Sequence, residues 1–278
     1  METLTTKLNY TAVADGAVEW LRSYADSAGA KGFVMGVSGG IDSAVVSTLV
    51  ARTGLNVLIL EMPIHQGKDQ VTRAKDHINW LKSLYPNVES KEIDLTASYD
   101  VLYKSYSGGQ PAFGRQIMLP DFEFSMANTR SRLRMTTLYQ YAGMYGFLVA
   151  GTGNKVEDFG IGFYTKYGDG GVDISPIADL MKSEVYALGR ELGVIESILT
   201  AAPTDGLHDD GRTDEDQIGA TYDELEWAME CYSNGKTPAS NDLTERQREV
   251  LKIYNKFHNS NKHKMNPIPI FETSKYRS

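Results

Sequence analysis

A short apolar run, Gly32-Phe33-Val34-Met35, leads into Gly36-Val37-Ser38-Gly39-Gly40-Ile41-Asp42-Ser43, and a helix-forming run from Ala44 to Val50 follows at once. Strand, glycine-rich turn and helix in immediate succession is the setting in which such a turn becomes a phosphate site. The glycines allow backbone conformations closed to other residues and let the chain approach an anion closely. The amides of the turn and the N-terminus of the helix then face that anion. Ser38 and Ser43 add hydroxyl donors, and Asp42 is a hard oxygen ligand suited to Mg2+. The segment lacks the Walker lysine and does not read G-x-G-x-x-G, which argues against an ordinary P-loop and a Rossmann dinucleotide turn.

The alternation continues down the chain. Residues 9–27 place Tyr10, Val13, Ala17, Trp20, Leu21 and Tyr24 at helical spacing. Asn56–Met62 reads as a second strand ended by Pro63, residues 68–84 as a helix stopped by Pro86-Asn87, and Val88–Ile93 as a third strand. Residues 107–121 are rich in Gly and Pro and read as a loop, before a long helix over 122–145. A fourth strand over 147–151 and a short fifth over 172–176 follow. Lys182 to Leu192 reads as a helix closed by Gly193, with two more over 222–232 and 243–259. This order predicts an α/β fold: a doubly wound, parallel, five-stranded sheet flanked by helices. Ligands of such sheets bind beyond the C-terminal strand ends where strand order reverses. Residues 38–43, Met62-Pro63 and 151–154 all sit at strand ends of that kind.

The length of 278 residues, 41% of them hydrophobic, suits a single domain over 1–278. A net charge of -8 and a pI near 5.2 argue against work on nucleic-acid backbones. The lone cysteine, Cys231, excludes an intrachain disulfide and a cysteine-cluster zinc site, and its helical surroundings read as those of a packed thiol. No basic-then-apolar leader opens the chain, and no apolar run nears the ~18 residues of a membrane span. The expectation is a soluble, cytoplasmic protein with no nucleic-acid or membrane partner.

Other segments carry chemistry too. Gly151-Thr152-Gly153-Asn154-Lys155-Val156-Glu157-Asp158 sets a hydroxyl and carboxylates just past a strand, and Asp42 with Glu157 would hold one Mg2+ against a triphosphate. Glu157 also reads simply as a first-turn helix glutamate. Phe163 to Asp173 packs Lys166, Asp169, Asp173 and three glycines between aromatics, either following a polar ligand with its backbone or forming a hairpin with exposed charges. On the long helix Arg130 and Arg134 share a face while Arg132 points nearly opposite. Lys182 alone reads as a surface lysine, and Lys262-His263-Lys264 as the start of a solvated tail over 260–278. Residues 204–216, acidic and nearly free of apolar side chains, read as mobile.

Ser-Gly-Gly-x-Asp-Ser resembles the pyrophosphate loop of the ATP pyrophosphatases. Several ordered blocks narrow the resemblance to the ammonia-dependent NAD synthetases. They are the 36–43 loop, Asn128-x-x-x-Arg132-x-Arg134-Met135, Gly151-Thr152 with Glu157, Phe163 to Gly171 with Asp173, then Lys182, Pro203-Thr204 and His263-Lys264. The resemblance implies an adenine-nucleotide-hydrolase-like fold and a ligase using Mg2+ and ATP. The nicotinate carboxylate of deamido-NAD would attack the α-phosphorus, pyrophosphate would leave, and ammonia would displace AMP to give NAD. It implies that Gly36, Val37, Ser38, Gly39, Gly40, Ile41, Asp42, Ser43, Thr152, Lys182 and Thr204 contact ATP. Asp42 and Glu157 would bind Mg2+, and Arg132, Lys166, Asp173, His263 and Lys264 would contact deamido-NAD. Asp42, Lys166 and Lys182 would be catalytic, with either lysine neutralising the pentavalent phosphorus. It further implies a lid over about 204–216 and a homodimer with the 122–145 helix as a main contact. With only about thirty residues before the first strand, a fused glutamine amidase domain is not expected. Glu61 stands where several relatives carry a basic residue, one extra residue lies between Glu157 and Lys166, and the 107–121 loop is long. Another amidating or thiolating ATP pyrophosphatase, or a non-catalytic nucleotide-binding protein, is the alternative.

Overall fold

The computed structural model describes residues 8–66, 68–108, 117–201 and 213–277. Among them lie helices α1 (Tyr10–Ala28), α2 (Ile41–Arg52), α3 (Lys68–Leu84), α4 (Thr96–Ser107), α5 (Leu119–Tyr145), α6 (Lys182–Glu191), α7 (Glu196–Leu199), α8 (Asp214–Ile218), α9 (Tyr222–Ser233) and α10 (Glu245–Met265). Strands β1 (Gly32–Gly36), β2 (Asn56–Glu61), β3 (Val88–Glu92) and β4 (Leu148–Val149) form one parallel sheet in the order β3-β2-β1-β4.

The alternation of side chains along the strands explains the layers. Phe33 and Met35 of β1 and Val57 and Ile59 of β2 enter a core shared with α1, α2, α3 and α6. Val34, Leu58 and Leu60 point the other way, toward Tyr99 of α4 and Met126 and Ala142 of α5. Both faces of the sheet are covered, as a parallel sheet requires. A third core, of Val156, Ile161, Leu225, Leu251 and Tyr254, joins α9 and α10 to the segment after β4.

Among the described residues the sheet has four strands in place of the expected five. The 172–176 segment contributes a single parallel bridge, Ala150 to Ile174. The Val149 amide is taken at 2.8 Å by the Asp173 carboxylate, a side chain standing where a strand carbonyl would be. Pro176 then removes a ladder donor. The sequence reading offers no element for residues 96–107, yet they form α4, its Thr96 amide capped by Asp94 at 2.8 Å. The helix expected over 243–259 runs on to Met265, so His263 and Lys264 belong to α10 and the extended tail begins at Asn266. The 107–121 loop is shorter at both ends than expected, because α4 reaches Ser107 and α5 starts at Leu119, with Pro120 in its first turn. Residues 109–116, Thr204 and most of the 204–216 segment fall outside the described residues, while Asp214 already belongs to α8. Among the described residues no helix is long and apolar enough to cross a membrane. Cys231 is buried, as a packed thiol should be.

Residues 156–161 form a π-helical turn closed by Gly162 at φ +64°. Such a turn is wider than an α-turn and is found mostly as a single turn near functional sites. It carries Glu157 and covers the first part of the interval from Glu157 to Lys166, which holds the extra residue.

Candidate active site

β1 and β4 are neighbours, but the chain leaves β1 toward β2 and β3 before returning, so the strand order reverses between them. A cleft of about 520 Å³ opens at that point, lined by Gly36–Ser38 after β1, Gly151 and Thr152 after β4, and Met62 and Pro63 after β2. This is where open α/β sheets bind ligands.

The phosphate loop is built as its composition requires. Gly39 adopts φ +83°, a conformation that favours glycine. Ser43 Oγ donates to the Gly40 carbonyl at 3.0 Å and accepts the Ser38 amide at 3.3 Å, closing the loop on itself. Gly40 is the N-cap of α2 and offers no side-chain cap. The first amides of α2 are therefore left to a ligand at the cleft mouth.

Three charged side chains from distant parts of the chain meet beside the loop. Lys182 Nζ lies 2.6 Å from Asp42 Oδ2 and 3.0 Å from Glu157 Oε1. Lys182 is 4% exposed, far from the surface lysine that its sequence context suggests. Met181 precedes it as N-cap and Glu184 closes the helix start onto the Met181 amide at 2.8 Å, which aims the lysine stem inward. Asn154, fully buried, ties the cluster together. Its amide donates to Asp42 Oδ1 at 3.1 Å, and its carbonyl accepts the amides of Val156 and Glu157 at 3.1 and 3.2 Å. One side chain thus orients Asp42 and caps the π-turn that carries Glu157.

Burial is the largest influence on Lys182 and opposes its charge. Asp42, Glu157 and Asp214 together outweigh it and hold the ammonium above the usual lysine range. Asp42 is pushed up, by burial first, with Glu157 adding to the shift and Lys182 opposing it. Tyr222 donates to Glu157 Oε1 at 2.6 Å, and burial drives its hydroxyl strongly upward, so it stays a donor. Burial, with Glu157, Asp169 and Asp42 nearby, raises Asp158 to about 7.

Thr152 and Lys264 also line the cleft, as does Glu61. The Lys264 ammonium donates to the carbonyls of Gly162 at 2.8 Å and Tyr164 at 2.6 Å. Arg132, Lys166, Asp173 and His263 do not line the cleft. Arg132 reaches the Lys166 carbonyl at 3.4 Å, Lys166 Nζ donates to the His263 carbonyl at 2.7 Å, and Asp173 accepts the Tyr139 hydroxyl at 2.9 Å. The arginines divide as their helical spacing predicts: Arg130 is buried over the Tyr99 ring, Arg134 faces the cleft and donates to the Met62 carbonyl at 3.1 Å, and Arg132 is exposed. Sequence reasoning missed Tyr222, whose surroundings contain no motif, and read Asp214 only as part of the acidic 204–216 segment. Asn154 was within reach, since it ends the Gly151-Thr152-Gly153-Asn154 run.

A glycine-rich loop at the reversal point of a parallel sheet, faced by two carboxylates and a buried lysine, is the arrangement of a nucleotide-using α/β enzyme of the ATP pyrophosphatase kind. A model of the NAD synthase family matches residues 13–268. An NH(3)-dependent NAD(+) synthetase of Carboxydothermus hydrogenoformans is 37% identical over 224 residues, 79% of this chain and 85% of that one. One from Alkaliphilus oremlandii is 37% identical over 259 residues, 92% and 95% of the two chains. Among solved structures, an NMN synthetase from Francisella tularensis superposes with a TM-score of 0.80 at 32% identity, covering 95% of this chain and 99% of that one. An NH3-dependent NAD synthetase from Campylobacter jejuni gives 0.73 at 25% identity over 95% and 100%. The chain belongs to the NAD synthase family.

Proposed function

We propose that this protein is a carbon–nitrogen ligase that adenylates the nicotinate carboxylate of deamido-NAD with ATP and amidates it with ammonia, giving NAD, AMP and pyrophosphate. The observation that carries the reading is the convergence of Asp42, Glu157 and Lys182 beside the phosphate loop. In the first step a carboxylate oxygen bonds to the α-phosphorus, and the bond to pyrophosphate breaks with its electron pair leaving on the pyrophosphate. In the second, ammonia attacks the activated carbonyl carbon, AMP departs with the carbon–oxygen pair, and the nitrogen gives up one proton to solvent.

The residues divide the work. The loop amides over 36–43 and the hydroxyls of Ser38 and Ser43 would hold the phosphates and take up charge as pyrophosphate forms. Lys182, protonated and buried, is better placed than Lys166 to neutralise the phosphorus centre, since Lys182 lines the cleft beside the loop and Lys166 does not. Asp42 and Glu157 fit a hard divalent cation, because their carboxylates already converge on one cationic nitrogen and both line the cleft. Mg2+ held there would supply Lewis-acid polarisation of the phosphates. Thr152 and Thr204 would contact ATP, and the 204–216 segment would exclude water from the acyl-adenylate. Arg132, Lys166 and His263 meet outside the cleft, and Asp173 also stands outside it, which supports a dinucleotide site completed by a second copy of the chain.

The test is purified protein with Mg2+, ATP, ammonium and deamido-NAD, with NAD measured by alcohol dehydrogenase coupling and AMP and pyrophosphate quantified alongside. NAD matched by AMP and pyrophosphate, and lost in Asp42→Ala, is the expected result. Folded protein that binds ATP yet makes no NAD would overturn the reading.

The likeness to the Francisella protein favours a second reading, in which the same amidation acts on nicotinate mononucleotide to give NMN. Offering both acceptors at equal concentration decides between them, through the ratio of NMN to NAD formed.

A further inference from the structure

Tyr222 belongs to none of the sequence motifs, yet it stands at the centre of the charged cluster. Thr221 caps α9 and sets Tyr222 as its first residue, and the side chain is 5% exposed. Its hydroxyl lies 2.6 Å from Glu157 Oε1, the same oxygen that Lys182 approaches at 3.0 Å. The Lys182 ammonium sits 4.6 Å from the centroid of the Tyr222 ring. One residue therefore fixes both neighbours, Glu157 through the hydroxyl and Lys182 through the ring face. On its other side the hydroxyl lies 3.2 Å from Asp214 Oδ2, at the start of α8. A phenol has one proton, so the hydroxyl can serve Glu157 or Asp214 but not both fully. The shorter distance assigns the proton to Glu157.

We propose that Tyr222 is a positioning residue for the reaction: its single hydroxyl proton, which stays on the phenol, orients Glu157 for the cation, and the hydroxyl turns to donate to Asp214 when the cation engages Glu157. The proposal rests on the reading above, in which Asp42 and Glu157 hold the divalent ion. Its logic is that of the outer partners of metal ligands, which set ligand orientation and typically change metal affinity or activity 10–100-fold when removed. Because Asp214 opens α8, the hydroxyl also links that helix to the acid–lysine centre.

Tyr222→Phe keeps the ring, its packing and its contact with Lys182, and removes only the hydroxyl. Mn2+ binding is followed by electron paramagnetic resonance with ATP present and the dinucleotide left out. The variant should bind Mn2+ about 10–100-fold more weakly than the native protein, and its activity should need correspondingly more Mg2+ for half-saturation. Native Mn2+ affinity and native Mg2+ dependence in a variant that melts cooperatively would overturn the proposal. A second measurement does not depend on that variant folding. With 3-fluorotyrosine at position 222 of the otherwise native chain, the fluorine resonance should move when Mg2+ and ATP are added together. An unmoved resonance overturns the proposal as well. Native protein that makes neither NAD nor NMN would sink the reading of the preceding subsection, while the Mn2+ and fluorine measurements would still decide the role of Tyr222.

Discussion

His77 is fully buried in α3, with Nε2 2.9 Å from Ser47 Oγ, and burial lowers its pKa to about 4. The folded value lies below the ordinary histidine value of 6.5, so the fold favours the neutral ring. Stability from this group is full above pH 6.5 and is lost as pH falls from there toward 4. The loss amounts to about 3 kcal/mol across that window. His77→Leu should flatten the acid limb by about that amount in urea titrations at pH 7 and pH 4.5, and Ser47 keeps its bond to the Ala44 carbonyl. At this scale the sequence was legible where chemistry clusters locally. Asp42 and Glu157 stand in recognisable runs, and their meeting was expected. The burial of Lys182 was not legible, because it is created by partners 140 and 25 residues away. Tyr222 was invisible for the same reason, an aromatic in a plain helical pattern whose partner is 65 residues upstream.

Among the elements, α10 does more than pack. His258, Asn261 and Lys264 lie three residues apart on one stripe. His258 Nδ1 contacts the Gly160 carbonyl at 2.7 Å, Asn261 donates to Ile161 O at 2.9 Å, and Lys264 takes the Gly162 and Tyr164 carbonyls. These are the carbonyls that the π-turn and the loop after it leave unmade, and α10 supplies their donors side by side. Lys264→Met should therefore cost about 2 kcal/mol with no ligand present, since two carbonyls lose a charged donor. Guanidinium denaturation without nucleotide checks it. An unchanged midpoint would mean that Lys264 serves only the substrate. The sequence pattern located most helices, because their apolar periodicity is a local property. It overstated the fifth strand, because whether Val149 pairs with a backbone or with the Asp173 side chain is settled only in three dimensions. It placed Lys264 in a solvated tail, because α10 has no apolar residue between Phe257 and Met265 to announce that the helix continues.

For the whole molecule, α5 is the telling element. It runs for 27 residues, and its apolar side chains do not gather on one face. Leu119, Phe124 and Met144 are each more than 60% exposed, and Val101 and Tyr106 of α4 extend the same apolar character. Large apolar side chains left exposed along one helix suit an interface. This fits the proposed homodimer, for which sedimentation should give twice the 30.8 kDa chain mass. Phe124→Glu together with Met144→Lys should shift the protein to monomer. With Arg132 on the same helix and outside the cleft, amidation should fall in parallel with dimer content while ATP binding at the loop persists.

The π-turn is finished by side chains that arrive late. The bonds that hold residues 160–164 come from positions 98 to 102 residues further along. The β1–β2 ladder, by contrast, closes over 24 residues. Closing the longer loop costs more chain entropy and is slower. During synthesis the sheet and its phosphate loop can form while the carboxylate opposite still hangs on an unsupported turn. An unfinished chain would then hold ATP loosely and leave it intact. On the proposed roles of the loop and Glu157, catalytic competence should appear only in a chain synthesised through α10.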